Sequence, residues 1–116
     1  MKIKRFDIVQ ADLSGTVGSE QGGIRPVLII QNDIGNLHSP TTIVIPFSTK
    51  VFKNPDQSTH TLIRSSADTG LKTDSILLGE QIRVISIQRI KKKIGSVTDK
   101  NEREEIRRVY DANFGE

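Results

Sequence analysis

Residues 18–31 read GSEQGGIRPVLIIQ, and the change of character at Pro26 decides how the chain folds. After the proline, Val27, Leu28, Ile29 and Ile30 form a continuous, largely β-branched run, which suits a central strand buried on both faces. Before it, residues 14–24 are polar, with glycines at 15, 18, 22 and 23, and predict a long mobile loop of the kind that carries function in small domains. Arg25 stands between the two. Pro26 fixes the backbone where the strand begins, so an arginine there is held at the rim of a sheet beneath the loop. Such an arginine either pairs with a structural carboxylate or offers its planar donor fork to a phosphate.

Working outward, residues 6–11 predict a first strand with Phe6, Ile8 and Ala11 facing a core. Residues 32–40 collect the turn formers Asn32, Asp33, Gly35, Asn36, Ser39 and Pro40. Further strands are expected at 41–47 (TTIVIPF) and 59–64 (THTLIR), with a turn at Asn54, Pro55 and Asp56. A strand at 75–84 is expected to bend at Gly79, a short helix to occupy 86–90, and a last strand 92–97. At the end, Asp99 followed by Glu102 resembles an N-cap with its reciprocal partner. Ile106, Val109, Tyr110 and Phe114 then recur at helical spacing and Gly115 stops the element, which predicts an amphipathic helix packed on the sheet. Short strands with one terminal helix argue for a small, strongly bent antiparallel sheet or barrel, and leave no room for repeated crossover helices.

The 116 residues suffice for one domain, 1–116, with one modest core, and 34% hydrophobic and 27% charged residues describe an ordinary globular protein. The longest apolar runs are too short to span a bilayer, and Asp7 and Asp12 interrupt the first twelve residues, so neither a membrane nor a secretory signal is expected. The absence of cysteine removes disulfides and thiol nucleophiles and fits a reducing cytoplasm. The net charge of +3 is unevenly placed: residues 83–108 carry nine Lys/Arg against four acids, whereas 9–82 are slightly acidic. Lys91, Lys92 and Lys93 read as a solvated strand, or as an edge that attracts phosphates.

Familiar catalytic machinery is missing. His38 and His60 are far apart in sequence and the carboxylates are scattered, so no metal site is expected. No G-x-S-x-G elbow, phosphate loop or dinucleotide fingerprint occurs, and no cofactor is implied.

The segment 11–36, ADLSGTVGSEQGGIRPVLIIQNDIGN, resembles the signature of the MazF/PemK family of toxin endoribonucleases. The likeness continues through SPTTIVIPFST (39–49) and DSILLGEQIR (74–83) and spans essentially the whole chain. It implies an α+β fold: a small SH3-like antiparallel β-barrel, CcdB/MazF-like, with a C-terminal α-helix and short accessory helices. It implies a homodimer that cuts single-stranded RNA at short sequences without a metal ion. The ribose 2′-OH then acts as nucleophile, leaving a 2′,3′-cyclic phosphate and a 5′-OH. It further implies a MazE-like antitoxin whose acidic tail lies over the RNA groove, with Arg83 and Lys91 to Lys93 attracting both ligands.

With the nucleophile supplied by substrate, the protein need only move protons and stabilise a phosphorane-like charge. Arg25 matches the family's catalytic arginine and is expected to stabilise that charge, with proton delivery to the leaving oxygen as a further role. Glu20 is the better general-base candidate, because an arginine titrates far above neutrality. Where many relatives carry Thr at the end of the third strand, this chain has Ser48 and then Thr49; either hydroxyl can donate to a phosphate oxygen, with Ser48 placed first by alignment to the strand and Thr49 second. Ser19, Gln21, Glu80, Gln81 and Arg83 are the expected RNA contacts, since amides and charged groups read the edges of splayed bases. Phe47 and Phe52 are candidates for stacking on a base, with a core role the stronger reading. Gly79 departs from the larger residue expected there. A binding poison resembling the CcdB gyrase inhibitors is the alternative, with its working residues in the terminal helix, and a non-catalytic RNA-binding barrel is a third reading.

Overall fold

Three strands make the centre of the fold: β1 (Asp7–Asp12), β2 (Ile24–Ile29) and β3 (Thr41–Ser48). They run antiparallel, with Ile8 opposite Leu28 and Leu28 opposite Ile45. The alternation of side chains sends Ile8, Leu28 and Ile45 into one apolar cluster and Val9, Val27 and Val44 into another, so the sheet is buried on both faces. This computed structural model describes residues 2–50 and 57–115. The expected turn at Asn54, Pro55 and Asp56 and the candidate Phe52 lie outside the described residues.

The far edge of β3 is shared. Its first half pairs with β6 (Arg83–Ser86) and its last two residues, Phe47 and Ser48, pair with β5 (Ser75–Leu78). With β4 (His60–Ile63) and β7 (Ile90–Ser96), the strand order is β4-β5-β3-β2-β1-β7. The outer strands β4 and β7 do not pair, so the expected barrel is an open antiparallel sheet. Along its length β3 hands its edge from one partner to the other, which divides the sheet into two wings.

That handover explains Gly79. The strand expected at 75–84 is broken by a 3₁₀ turn, Gly79–Gln81, that carries the chain from one wing to the other. A Cβ at Gly79 would run into Val109 and the carbonyl of Thr59, so only glycine lets the terminal helix approach this closely. Residues 32–40 likewise hold more than a turn. They form α1 (Asp33–His38), capped by the Asn32 side chain, which accepts from the Gly35 amide at 2.7 Å. Residues that make turns also cap helices, because both uses rest on a short side chain bonding nearby backbone.

Helix α2 (Lys100–Phe114) begins on Asp99, whose carboxylate accepts from the Glu102 amide at 2.9 Å. Glu102 accepts in turn from the Arg64 amide, so it ties the helix to the end of β4 instead of closing a reciprocal cap. Ile106 and Val109 are buried, whereas Tyr110 and Phe114 are 43% and 65% exposed and stack on each other at 5.1 Å, so the apolar face is narrower than its spacing suggests. Polar ties complete the docking. Arg108 donates to the carbonyls of Ser58 and His60, Asn113 to Gly79, and Arg103 to Val97 with its guanidinium 4.4 Å from the Phe6 ring. Several of the terminal arginines thus serve the fold. Among the described residues no helix is long and apolar enough to cross a membrane.

Candidate active site

Arg25 lies in β2 opposite Ala11, half-buried at the point where the ladder between β2 and β3 has ended. Its Nε donates to the Gly22 carbonyl at 2.7 Å and its Nη1 to the Phe47 carbonyl at 3.2 Å. The side chain therefore closes the gap that the ladder leaves and fastens the loop to the end of β3. A guanidinium has five N–H donors, so it can hold both carbonyls and still present donors to an anion. Burial pushes its pKa below the ordinary value, and the group remains a cation at neutral pH. Among the described residues no carboxylate forms the ion pair with it that sequence left open.

Ser48 follows directly on Phe47, only 3% exposed, with its Oγ accepting from the Lys50 amide at 3.2 Å. Thr49, the other candidate hydroxyl, is exposed. The two therefore stand in different surroundings, one packed beside the Arg25 anchor and the other in solvent. Phe47 is 2% exposed within the core, so its ring cannot serve as a stacking platform.

The loop ahead of Arg25 is tied by hydrogen bonds at several points. Leu13 donates its amide to Gly23 at 2.9 Å, closing the stem. Arg89 donates to the carbonyls of Asp12 and Ser14. Glu20 donates its amide to the Val17 carbonyl, and its carboxylate accepts from the Val17 amide at 2.7 Å, so 17–20 is a self-closed turn. Gly18 (φ 60°) and Gly23 (φ 74°) take the left-handed conformations these reversals demand. Gln81 reaches over from the 3₁₀ turn and bonds both Ser19 and Gln21.

These contacts create a cleft of about 440 Å³ lined by Ser19, Glu20, Gln21, Glu80, Gln81 and Arg83, with Pro46 and Ile82 as its apolar part. The residues singled out on the loop and in the GEQIR segment thus meet across one hollow, although they lie some sixty positions apart in sequence. They do not all point freely into it. Glu80 is committed: His60 Nε2 and the Thr59 hydroxyl each lie 3.0 Å from its carboxylate oxygens. Burial alone would raise the Glu80 pKa, but hydrogen bonds from His60, its own backbone amide and Thr59 outweigh it and hold the carboxyl below its ordinary value. Sequence reading did not find His60 in this role, and a lone histidine in a short strand carries no signal that could have placed it there.

Among the basic residues, Lys93 pairs with Asp7 at 3.2 Å, while Lys91 and Lys92 are exposed on the outer strand β7. That strand reaches the site side of the sheet, since Ala11 has Arg25 on one flank and Ile90 on the other. A separate hollow of about 430 Å³ lies between Arg5, Phe6, Ile43, Ile106 and Tyr110, and none of the candidate residues lines it.

Comparison with known proteins places this arrangement. Endoribonuclease EndoA of Bacillus subtilis (strain 168) is 50% identical over 99 residues, covering 85% of this chain and 84% of that protein. Endoribonuclease MazF of Staphylococcus saprophyticus is 43% identical over 113 residues, 97% of this chain and 92% of that protein. The crystal structure of MazF (Form-I) from Deinococcus radiodurans has the same fold at a TM-score of 0.82, covering 100% of this chain and 99% of that one at 15% identity. Residues 4–111 match the family described as PemK-like, MazF-like toxins of type II toxin–antitoxin systems, and the chain belongs to that family.

Proposed function

We propose that this toxin endoribonuclease cuts single-stranded RNA at short preferred sequences without a metal ion, using the ribose 2′-OH beside the scissile phosphate as nucleophile. The observation that carries the reading is the anchoring of Arg25: two backbone carbonyls orient its guanidinium at the end of β3 while donors remain for a phosphate. A cation held in this way stabilises charge developing on the phosphorane without reorganising during the reaction. Glu20 takes the proton of the 2′-OH, and its carboxylate has lone pairs beyond the one the Val17 amide uses. A hydroxyl at the end of β3 donates to a non-bridging oxygen: Thr49 is already exposed, whereas Ser48, first by its place at the strand end, is 3% exposed and has to be uncovered to do so. Departure of the 5′ oxygen, protonated from the Arg25 side, leaves the cyclic phosphate and a 5′-OH.

Sequence preference is assigned to the cleft, where Ser19, Gln21 and Arg83 offer polar groups around the apolar Pro46 and Ile82. A MazE-like antitoxin follows from membership of a toxin–antitoxin family, and its acidic tail would meet Arg83, Lys91 and Lys92. A homodimer is supported by apolar side chains exposed on α1 and β6, namely Ile34, Leu37 and Val84. Action on messenger RNA places the protein in the cytoplasm. The gyrase-binding alternative is not favoured, because the family and both relatives point to RNA cleavage.

The test is to incubate a long RNA with the pure protein in EDTA and sequence the new 5′-OH ends. Cuts clustered at one short motif, with cyclic phosphate on the other fragment, are expected. Intact RNA would overturn the nuclease reading, and 5′-phosphate ends would overturn the 2′-OH mechanism.

A further inference from the structure

We propose that Gln81 is a positioning residue of the cleavage reaction: its carboxamide holds the loop tip 19–21, and with it Glu20, at the wall of the cleft. The proposal rests on the nuclease reading above, and it replaces the direct base-reading role that sequence suggested for this residue. The geometry is that of a peptide group in a strand ladder. Gln81 Oε1 accepts from the Gln21 amide at 2.6 Å, and Gln81 Nε2 donates to the Ser19 carbonyl at 3.3 Å. One side chain therefore engages the backbone on both sides of Glu20. Among the described residues, no other side chain outside the loop bonds residues 19–21.

The base on which Gln81 stands is rigid. In the 3₁₀ turn Gly79–Gln81, the Gly79 amide donates to Thr59 at 2.8 Å and its carbonyl accepts from Asn113 of α2 at 2.6 Å. Glu80 is held by Thr59 and His60. The loop stem is secured separately, by the Leu13 to Gly23 bond and by Arg89. The turn 17–20 closes on itself, so it moves as a unit and needs an external anchor to have a defined place. Gln81 is that anchor. Its loss frees the tip and leaves the stem in place.

A positioning role and a base-reading role make different demands on one experiment. Gln81→Met keeps the length of the side chain but removes both hydrogen bonds, whereas Gln81→Glu keeps the acceptor for Gln21 and loses the donor. Hydrogen exchange of the free protein reads the clamp without RNA. In Gln81→Met the Gln21 amide should exchange at least about fivefold faster while the Leu13 amide is unchanged, and Gln81→Glu should restore the protection. Single-turnover cutting reads the consequence. At saturating RNA the Met variant should be at least about tenfold slower at every site alike, with the cut motif kept and the affinity for a 2′-deoxy analogue within about threefold. Gln81→Glu should recover part of the rate.

Unchanged exchange at Gln21 would overturn the clamp. A changed cut motif with unchanged exchange would make Gln81 a base reader, and faster exchange with an unchanged saturating rate would make the contact merely structural. Intact RNA with the unaltered chain would overturn the nuclease reading, while the exchange result alone still decides the clamp.

Discussion

Arg25 has two separable duties, and substitution there should reveal both. Removing the side chain in Arg25→Ala takes the donors from the Gly22 and Phe47 carbonyls, which lie 2.7 and 3.2 Å from its nitrogens. A hydrogen bond of this kind contributes about 1 kcal/mol net, and the site is only half-buried, so water replaces part of the loss. The expected cost is about 1–2 kcal/mol, or a fall of roughly 4–8 °C in melting temperature for a domain of this size. The catalytic loss should be larger. Deleting one preorganised donor at a developing oxyanion costs about 10²–10³ in rate, equivalent to about 3–4 kcal/mol. Arg25→Lys separates the two, since an ammonium keeps the charge but cannot bridge both carbonyls and still fork onto a phosphate. It should fall between wild type and the alanine variant in cutting, and close to alanine in stability. The assay is single-turnover cleavage of a fluorescent RNA in EDTA, run well below the melting temperature of the weakest variant. Cutting by Arg25→Ala within about tenfold of wild type would refute the charge-stabilising role. A melting temperature equal to wild type would refute the structural tie.

Gly79→Ala should destabilise by about 2–3 kcal/mol, because its Cβ meets Val109 and the Thr59 carbonyl. Chemical denaturation checks this, and Val109→Ala added to the same chain should recover part of the loss by making room. Glu80 has a folded pKa below the ordinary 4.5, so its contribution is present in full above that value and is lost as the pH falls through the folded pKa. Melting temperatures measured from neutral pH downward should decline below about pH 4.5 for the wild type and more shallowly for Glu80→Gln. Neutralising the exposed pair Lys91 and Lys92 should reduce the slope of log K for RNA binding against log salt by about 1.4, at 0.7 per phosphate contact. An unchanged slope would exclude those lysines from the RNA footprint.

Local physics was legible in the residues. The β-branched run after Pro26, the strand-forming residues at 41–47 and the Asp99 cap each express an interaction between near neighbours in the chain, and each element forms within a few residues of its expected place. The contacts of the glycine-rich loop were not legible, for the opposite reason. Its composition is indeed permissive, but Gln81, Arg89 and Arg25 restrain it from other elements. The same holds for the basic C-terminal third: its surplus charge left a solvated surface or a phosphate-attracting edge open, and Arg103 and Arg108 bond backbone carbonyls that only the folded chain brings within reach.

By itself the sequence determined the strand-rich class, the terminal helix and the GSEQGG-x-RPVLIIQ signature, and through that signature the family. Those properties follow from side-chain volume, β-branching and capping chemistry, which act over a few residues. Only the tertiary structure decided that the sheet stays open, that Ser48 is buried while Thr49 is exposed, that Glu80 is tied to His60, and that Gln81 clamps the loop bearing Glu20. Each rests on contacts between elements far apart in the chain. The 79–81 turn meets the loop and brings together groups separated by some sixty positions along the chain.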